Sequence, residues 1–223
     1  MKVGVDAVLL GAWAGKKAGK ILEIGTGCGV ISLILAQRFP ESKILAIDID
    51  KESVKEAERN FETSPWRDNL KANILRFPED IIDTTKKFDL IVSNPPYFES
   101  GILRPDSRRE KARHQDSLTV YSLIKYGEHI LSEKGRLAII FPIDFLERIE
   151  KDIIETGLIL KRICRIRDNE SKREKRVMIE CSHREDCNEE LKEESLTLFE
   201  IKEGRREPTL SYQNLCRDLY LKF

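Results

Sequence analysis

Two short strings in this 223-residue chain combine residue types and spacing that could do chemistry. The first is Asn94-Pro95-Pro96-Tyr97, which closes the apolar run Phe88–Ser93. An amine on an aromatic ring is a poor nucleophile because its lone pair is delocalised. It becomes reactive when both of its N–H groups are held by acceptors that favour a tetrahedral nitrogen. The Asn94 side-chain oxygen can be one acceptor and the Pro95 carbonyl the other. Pro95 and Pro96 fix φ and stiffen the loop, and Pro95 biases Asn94 towards an extended backbone. Stiffness matters where a group must pass in line from one atom to another. Tyr97, with Phe98 beside it, offers a face on which a base can stack. No strong general base is required, because the alkylated ammonium can lose its proton to water. Read alone, the string could equally be a stiff loop with a capping Asn and a surface Tyr.

The second string is Glu23-Ile24-Gly25-Thr26-Gly27-Cys28-Gly29, also at the end of an apolar run. Gly25, Gly27 and Gly29 sit where a strand must turn sharply into a helix, and glycine lets backbone approach a ligand without a Cβ in the way. The spacing is not that of a dinucleotide binder, which brings a pyrophosphate to the helix N-terminus. Glu23 would be badly placed for a pyrophosphate but well placed for an ammonium group. S-Adenosylmethionine (SAM) presents an ammonium and a carboxylate and no pyrophosphate. Asp48 ends the next strand near the spacing at which an acid takes ribose hydroxyls. Asp80, in Phe77-Pro78-Glu79-Asp80, is a candidate acceptor for the adenine amine, with Phe77 packed on the ring; a turn or cap role for Asp80 is the alternative. A tight strand–helix turn with no ligand is the plain alternative for the glycines. Strand, glycines, helix and distal acid coincide, which favours a ligand. Together the two strings describe methyl transfer from SAM to a planar nitrogen.

The elements that must position these strings alternate. Strands are expected over 20–24, 43–48, 70–75, 88–93 and 136–141, and helices over 30–38, 51–61 and 118–131, with Asp50 as an N-cap and a turn at 132–135. Such alternation implies a parallel sheet with right-handed crossovers. The last third changes character: strands over 158–167, 176–182 and 196–202, a charged turn at 168–175 and a closing helix over 211–221 suggest an antiparallel edge. No linker or repeat interrupts the chain, so residues 1–223 are expected to form one domain.

Composition sets outer bounds. Lys plus Arg and Asp plus Glu both number 39, for a net charge of zero, which argues against a generally polybasic binder but not against local patches. Forty per cent hydrophobic residues suffice for a core at this length. Five cysteines in no even framework suggest reduced thiols and a cytoplasmic protein. No run approaches a membrane span, so no membrane partner is expected. Cys181-x-His183-x3-Cys187 matches no standard zinc spacing, and no metal is expected. His129 falls in a predicted helix and is expected to be packed or solvated.

These residues resemble the class I, Asn-Pro-Pro-Tyr group of SAM-dependent methyltransferases. Further strings are similar to the tRNA1(Val) (adenine-37-N6)-methyltransferase family: Met1-Lys2-Val3-Gly4-Val5-Asp6-Ala7-Val8-Leu9-Leu10-Gly11-Ala12-Trp13-Ala14, the Asn94 string with Phe98, Ala112-Arg113-His114, and Arg217-Asp218-Leu219-Tyr220-Leu221-Lys222-Phe223. Val5 stands where Thr is usual and Ala7 where Gly is usual. The family usually carries a further stretch ahead of the first string. The resemblance therefore leaves two options, a displaced start or a version lacking a segment that helps close the cofactor pocket. It implies a Rossmann-like, seven-stranded, mostly parallel α/β sheet with an antiparallel C-terminal edge. It also implies SAM as cofactor and the N6 amine of adenosine 37 in a tRNA anticodon loop as target.

Charge supports a nucleic-acid substrate. Residues 161–176 carry eight basic side chains against three acidic, among them Arg173, Lys175 and Arg176. The loop after Tyr97 adds Arg104, Arg108, Arg109, Lys111 and Arg113. If the two segments flank the pocket they form a phosphate-tracking surface; a solvated charged hairpin is the alternative. An anticodon loop suits such a pocket, since its bases are easily splayed. His114 is expected to be structural or to touch RNA. A monomer is expected. Methylation of ribosomal RNA, DNA or a protein glutamine remains open at this stage, as does a silent SAM- or RNA-binding module. An NAD-binding oxidoreductase is disfavoured by the glycine spacing.

Overall fold

The computed structural model describes residues 3–83, 85–96, 118–184 and 190–220. In chain order the elements are α1 (Val5–Trp13), β1 (Lys20–Ile24), α2 (Val30–Arg38), β2 (Lys43–Asp48), α3 (Lys51–Glu62), β3 (Leu70–Ile74), β4 (Phe88–Ser93), α4 (Val120–Ile130), β5 (Leu131–Pro142), α5 (Leu146–Ile154), β6 (Leu158–Arg167), β7 (Glu174–His183), β8 (Lys192–Thr197), β9 (Phe199–Lys202), β10 (Arg205–Pro208) and α6 (Leu210–Cys216). One sheet has the order β3-β2-β1-β4-β5-β7-β6-β8. β1 to β5 are mutually parallel, β7 is antiparallel to both its neighbours, and β8 runs parallel to β6. The α/β class, the parallel centre and the antiparallel C-terminal turn-back are as expected. Among the described residues the sheet has eight strands where the resemblance implied seven; the edge strand β8 overlaps the strand expected over 196–202.

The central strands read as unbroken apolar runs because helices cover both faces. In β4 only Asp89 is more than slightly accessible. One core cluster joins the sheet to α1, α2, α3 and α6, through residues such as Val8, Leu35, Phe61 and Cys216. The opposite cluster joins it to α4 and α5, through Leu123, Ile124, Ile149 and Ile153. α3 turns Val54, Ala57 and Phe61 inward, and Asp50 caps it, its carboxylate accepting from the Ser53 amide at 2.8 Å.

Three departures have local causes. The turn expected at 132–135 is an irregularity inside β5: Leu131 lies opposite Phe88 and Arg136 opposite Leu90, so the residues between are looped out against β4. The single strand expected over 196–202 splits at Leu198. Its amide turns to Arg167 O and the Phe199 amide to Asp168 O, so β8 stays in the sheet and β9 leaves it. β9 pairs with β10 through a two-residue turn with positive φ at both Glu203 (51°) and Gly204 (76°), the twist that suits a tight hairpin. Glutamate seldom takes that conformation, which hid the turn. The helices α1 and α5 are additions to those expected from the sequence. α1 is apolar almost all round, and seven of its nine residues are buried, so it shows no amphipathic period.

Candidate active site

The two motif strings leave the sheet side by side. β1 and β4 are parallel neighbours with Ile24 paired to Ser93. The Ser93 hydroxyl donates to Ile24 O at 2.7 Å and pins the two strand ends together. Gly25 and Asn94 are the next residues on each chain. β2 and β3 are added on one side of β1, β4 and β5 on the other. This reversal of building direction is where open parallel sheets open a crevice for ligands.

The glycine loop is built as its spacing suggests. Gly25, Gly27 and Gly29 have φ of 75°, 54° and 82°, the left-handed region that other residues avoid. Gly29 is doubly constrained, since a Cβ there would lie 2.5 Å from Phe61 Cε1 on α3. The loop folds over the end of β2, the Gly25 and Thr26 amides both donating to Ile47 O. Asp48 is half-buried and holds the loop directly: Oδ2 accepts from the Gly27 amide at 2.9 Å and Oδ1 from the Asp50 amide at 3.0 Å. Next to it Ile49 stands half-exposed (51%), an apolar surface beside the loop that no sequence motif marks.

Glu23 is buried beneath the loop. Its Oε2 accepts from the Thr26 hydroxyl at 2.8 Å, the Ser32 amide at 3.0 Å and the Ser32 hydroxyl. Its Oε1 is buried with no hydrogen-bond partner. Burial pushes the carboxyl up to about 7 against the pull of those donors. Thr26 and Ser32 were not singled out from the sequence. A hydroxyl among the glycines and another on the first turn of the following helix were the available signals.

The remaining predicted residues divide. Asn94 is half-buried, Pro95 buried and Pro96 exposed at the mouth of the crevice. Tyr97, Phe98 and Arg113 lie outside the described residues, as do Arg104, Arg108, Arg109, Lys111 and His114. Asp80 is exposed, and its Oδ2 accepts from the Arg76 amide at 2.8 Å across a turn, the local role weighed as its alternative. Phe77 is 8% exposed and belongs to the core with Ile47 and Ile81, so its ring is packing, not an open platform.

The basic segment 161–176 does not act as one surface. Within β6, Lys161 is buried. Arg162 pairs with Glu180 at 3.1 Å and Glu194 at 3.3 Å, its guanidinium 4.0 Å from the Trp13 ring centroid. Trp13 Nε1 donates to Glu194 at 2.7 Å, and the Gly15 amide to Glu180 at 2.5 Å. Arg165 pairs with Glu193, and Arg167 donates to the Thr197 hydroxyl. Only the hairpin end faces the site: Arg176 lies opposite Pro142, at the carboxyl end of β5. There Arg173 pairs with Asp144 at 2.9 Å and Arg176 with Asp6 of α1 at 3.0 Å, while Lys172 and Lys175 are exposed.

Residues 5–146 match the family model described as Methyltransferase small domain. The chain is 38% identical to the tRNA1(Val) (adenine(37)-N6)-methyltransferase of Bacteroides thetaiotaomicron, over 99% of this chain and 91% of that protein. It is 34% identical to the protein of that name from Vibrio parahaemolyticus, over 100% and 90%. The chain is a member of the tRNA1(Val) (adenine(37)-N6)-methyltransferase family. Solved structures extend the likeness of fold. A predicted O-methyltransferase from Agrobacterium tumefaciens superposes with a TM-score of 0.68 at 17% identity, covering 96% of each chain. A ribosomal protein L11 methylase from Lactobacillus delbrueckii subsp. bulgaricus does so at 0.54 and 19%, covering 79% of this chain and 76% of that one. A methyltransferase of this fold implies SAM as methyl donor. The residues fit it in kind: Glu23 Oε1 is a buried acceptor without a hydrogen-bond partner, the complement of an ammonium.

Proposed function

We propose that this protein transfers a methyl group from SAM to the exocyclic N6 amine of adenosine 37 in the anticodon loop of tRNA1(Val), acting as a single-domain monomer in the cytoplasm. The observation that carries the reading is the juxtaposition of Gly25 and Asn94 at the ends of paired strands, in a chain of this family. Among the described residues no helix is long and apolar enough to cross a membrane.

When bound, SAM supplies an electrophilic methyl. Glu23 would hold its ammonium, the Gly25–Gly29 backbone its amino-acid end, and Asp48 its ribose hydroxyls. Asp80 stands near enough in sequence to the third strand's end to serve the adenine. Asn94 Oδ1 and Pro95 O would accept the two N–H bonds of the target amine, and Tyr97 and Phe98 would stack on its base. Pro95 and Pro96 keep the acceptors fixed, so little reorganisation is needed at the moment of transfer. Arg113, Arg173, Lys175 and Arg176 would meet phosphates on either side. Guanine carries a carbonyl in place of the amine at C6, so a guanosine at that position offers these acceptors no N6 amine to hold.

Labelled SAM incubated with unmodified total tRNA tests the reading, followed by nuclease digestion and nucleoside mass spectrometry. The wild type should yield N6-methyladenosine. Asn94→Ala should lower kcat/KM by about 100- to 1000-fold, as removal of one preorganised polar group does, with affinity for S-adenosylhomocysteine kept within about twofold. Equal turnover in the two proteins would remove Asn94 from the chemistry. SAM binding without transfer in the wild type would favour a silent binding module.

A further inference from the structure

Glu23 lies on β1 between β2 and β4 and is 1% exposed. An isolated carboxylate at such a depth is strongly disfavoured unless it is paired. The groups facing it are the Thr26 hydroxyl from the loop, the Ser32 amide and hydroxyl from α2, and the Asp48 carboxylate from the end of β2. The three donors all converge on Oε2, and Oε1 is left bare. The charge that acts on it, Asp48, has the same sign, and among the described residues no cation offsets it. The site is therefore one positive charge short of balance, and the missing charge belongs beside Oε1.

We propose that cofactor binding and ionisation of Glu23 are coupled: the empty site holds a proton on Glu23, and that proton leaves to solvent as Oε1 accepts an N–H of the cofactor's ammonium. The inference rests on SAM being the ligand of this site. No covalent bond changes, and one proton passes from the carboxyl to the buffer for each cofactor bound. Thr26 and Ser32 are positioning residues here. By satisfying Oε2 they leave only the second oxygen to the ligand, and they keep the proton affinity from rising further.

The sign follows from linkage. A carboxyl near 7 when empty, and held lower by an adjacent ammonium when bound, releases a proton on binding in the window between the two values. Above about pH 7 it is already ionised, so release dwindles and affinity levels off. Below, affinity weakens by up to about tenfold for each pH unit.

Titration calorimetry with S-adenosylhomocysteine, in buffers of different ionisation enthalpy, reads this directly without turnover. The wild type should release close to one proton at about pH 6 and almost none at about pH 8.5, with Kd roughly tenfold weaker at the lower pH. Glu23→Gln should release none and bind with a flat pH profile. Ser32→Ala, which keeps Glu23 but removes one donor from Oε2, should move the release midpoint to higher pH, and it answers the question if Glu23→Gln fails to fold. Tight binding with no release at about pH 6, or the same release from Glu23→Gln, would overturn the coupling while leaving SAM as ligand. A folded protein that does not bind S-adenosylhomocysteine at any pH would overturn both.

Discussion

The turn after β1 and the hairpin between β6 and β7 stand at the same end of the strands of one sheet, and they are built in opposite ways. In the glycine turn the roles are set by the turn itself, the first turn of the helix that follows and the end of the next strand. Three glycines take positive φ, Thr26 and Ser32 reach back to Glu23, and Asp48 closes on the Gly27 amide. In the hairpin and the strand that feeds it, roles are set by partners far away in sequence. Arg162 is claimed by Glu180, Glu194 and the Trp13 ring, Arg176 by Asp6, and Arg173 by Asp144. A local pattern of glycines and acids therefore reports on a site, whereas a run of basic residues reports only that charges exist, and the tertiary fold decides which of them meet a substrate.

The sharpest break in the comparison should come at Arg162. Replacing it with Met leaves Glu180, whose side chain is 3% exposed, and Glu194 without their shared partner. The expected cost is about 3–5 kcal/mol of folding stability, the range for removing one member of a buried charge pair, read from the denaturant midpoint. If Arg162 instead belonged to an RNA surface, stability would hold and tRNA affinity would fall.

Gly29→Ala should come next. It places a methyl against Phe61 and forces positive φ on alanine, with an expected loss of about 1–3 kcal/mol and weaker S-adenosylhomocysteine binding. A neutral result would mean that the turn is looser than its geometry implies.

The smallest effect on the fold, and a selective one on substrate, belongs to Lys175. Charge reversal to Glu should leave stability within about 0.5 kcal/mol, as for exposed substitutions. It should weaken tRNA binding by about tenfold at low salt and reduce the salt dependence, because a phosphate contact is lost. Arg165→Gln on β6, whose partner is Glu193, should leave tRNA affinity within about twofold. Equal losses at the two positions would return the whole basic segment to the RNA surface.

What the sequence disclosed follows the same division. β1, α2, β2, β4 and β6 begin and end where periodicity and caps place them, and the neighbouring departure points of Gly25 and Asn94 follow from their being strand ends. α1 stayed hidden because burial nearly all round erases the amphipathic period, and β9–β10 because Glu203 occupies a turn conformation it rarely takes. The string Phe77-Pro78-Glu79-Asp80 suggests a cofactor role at both its ends but does not show what either side chain touches. The fold gives Asp80 a backbone amide and Phe77 a place in the core.

The most direct test of the central claim is methyl transfer from labelled SAM to two tRNA1(Val) transcripts, one with adenosine at position 37 and one with guanosine. The account predicts one methyl per molecule in the first, recovered as N6-methyladenosine, and none in the second. Equal incorporation into both, or into neither while S-adenosylhomocysteine still binds, would contradict it.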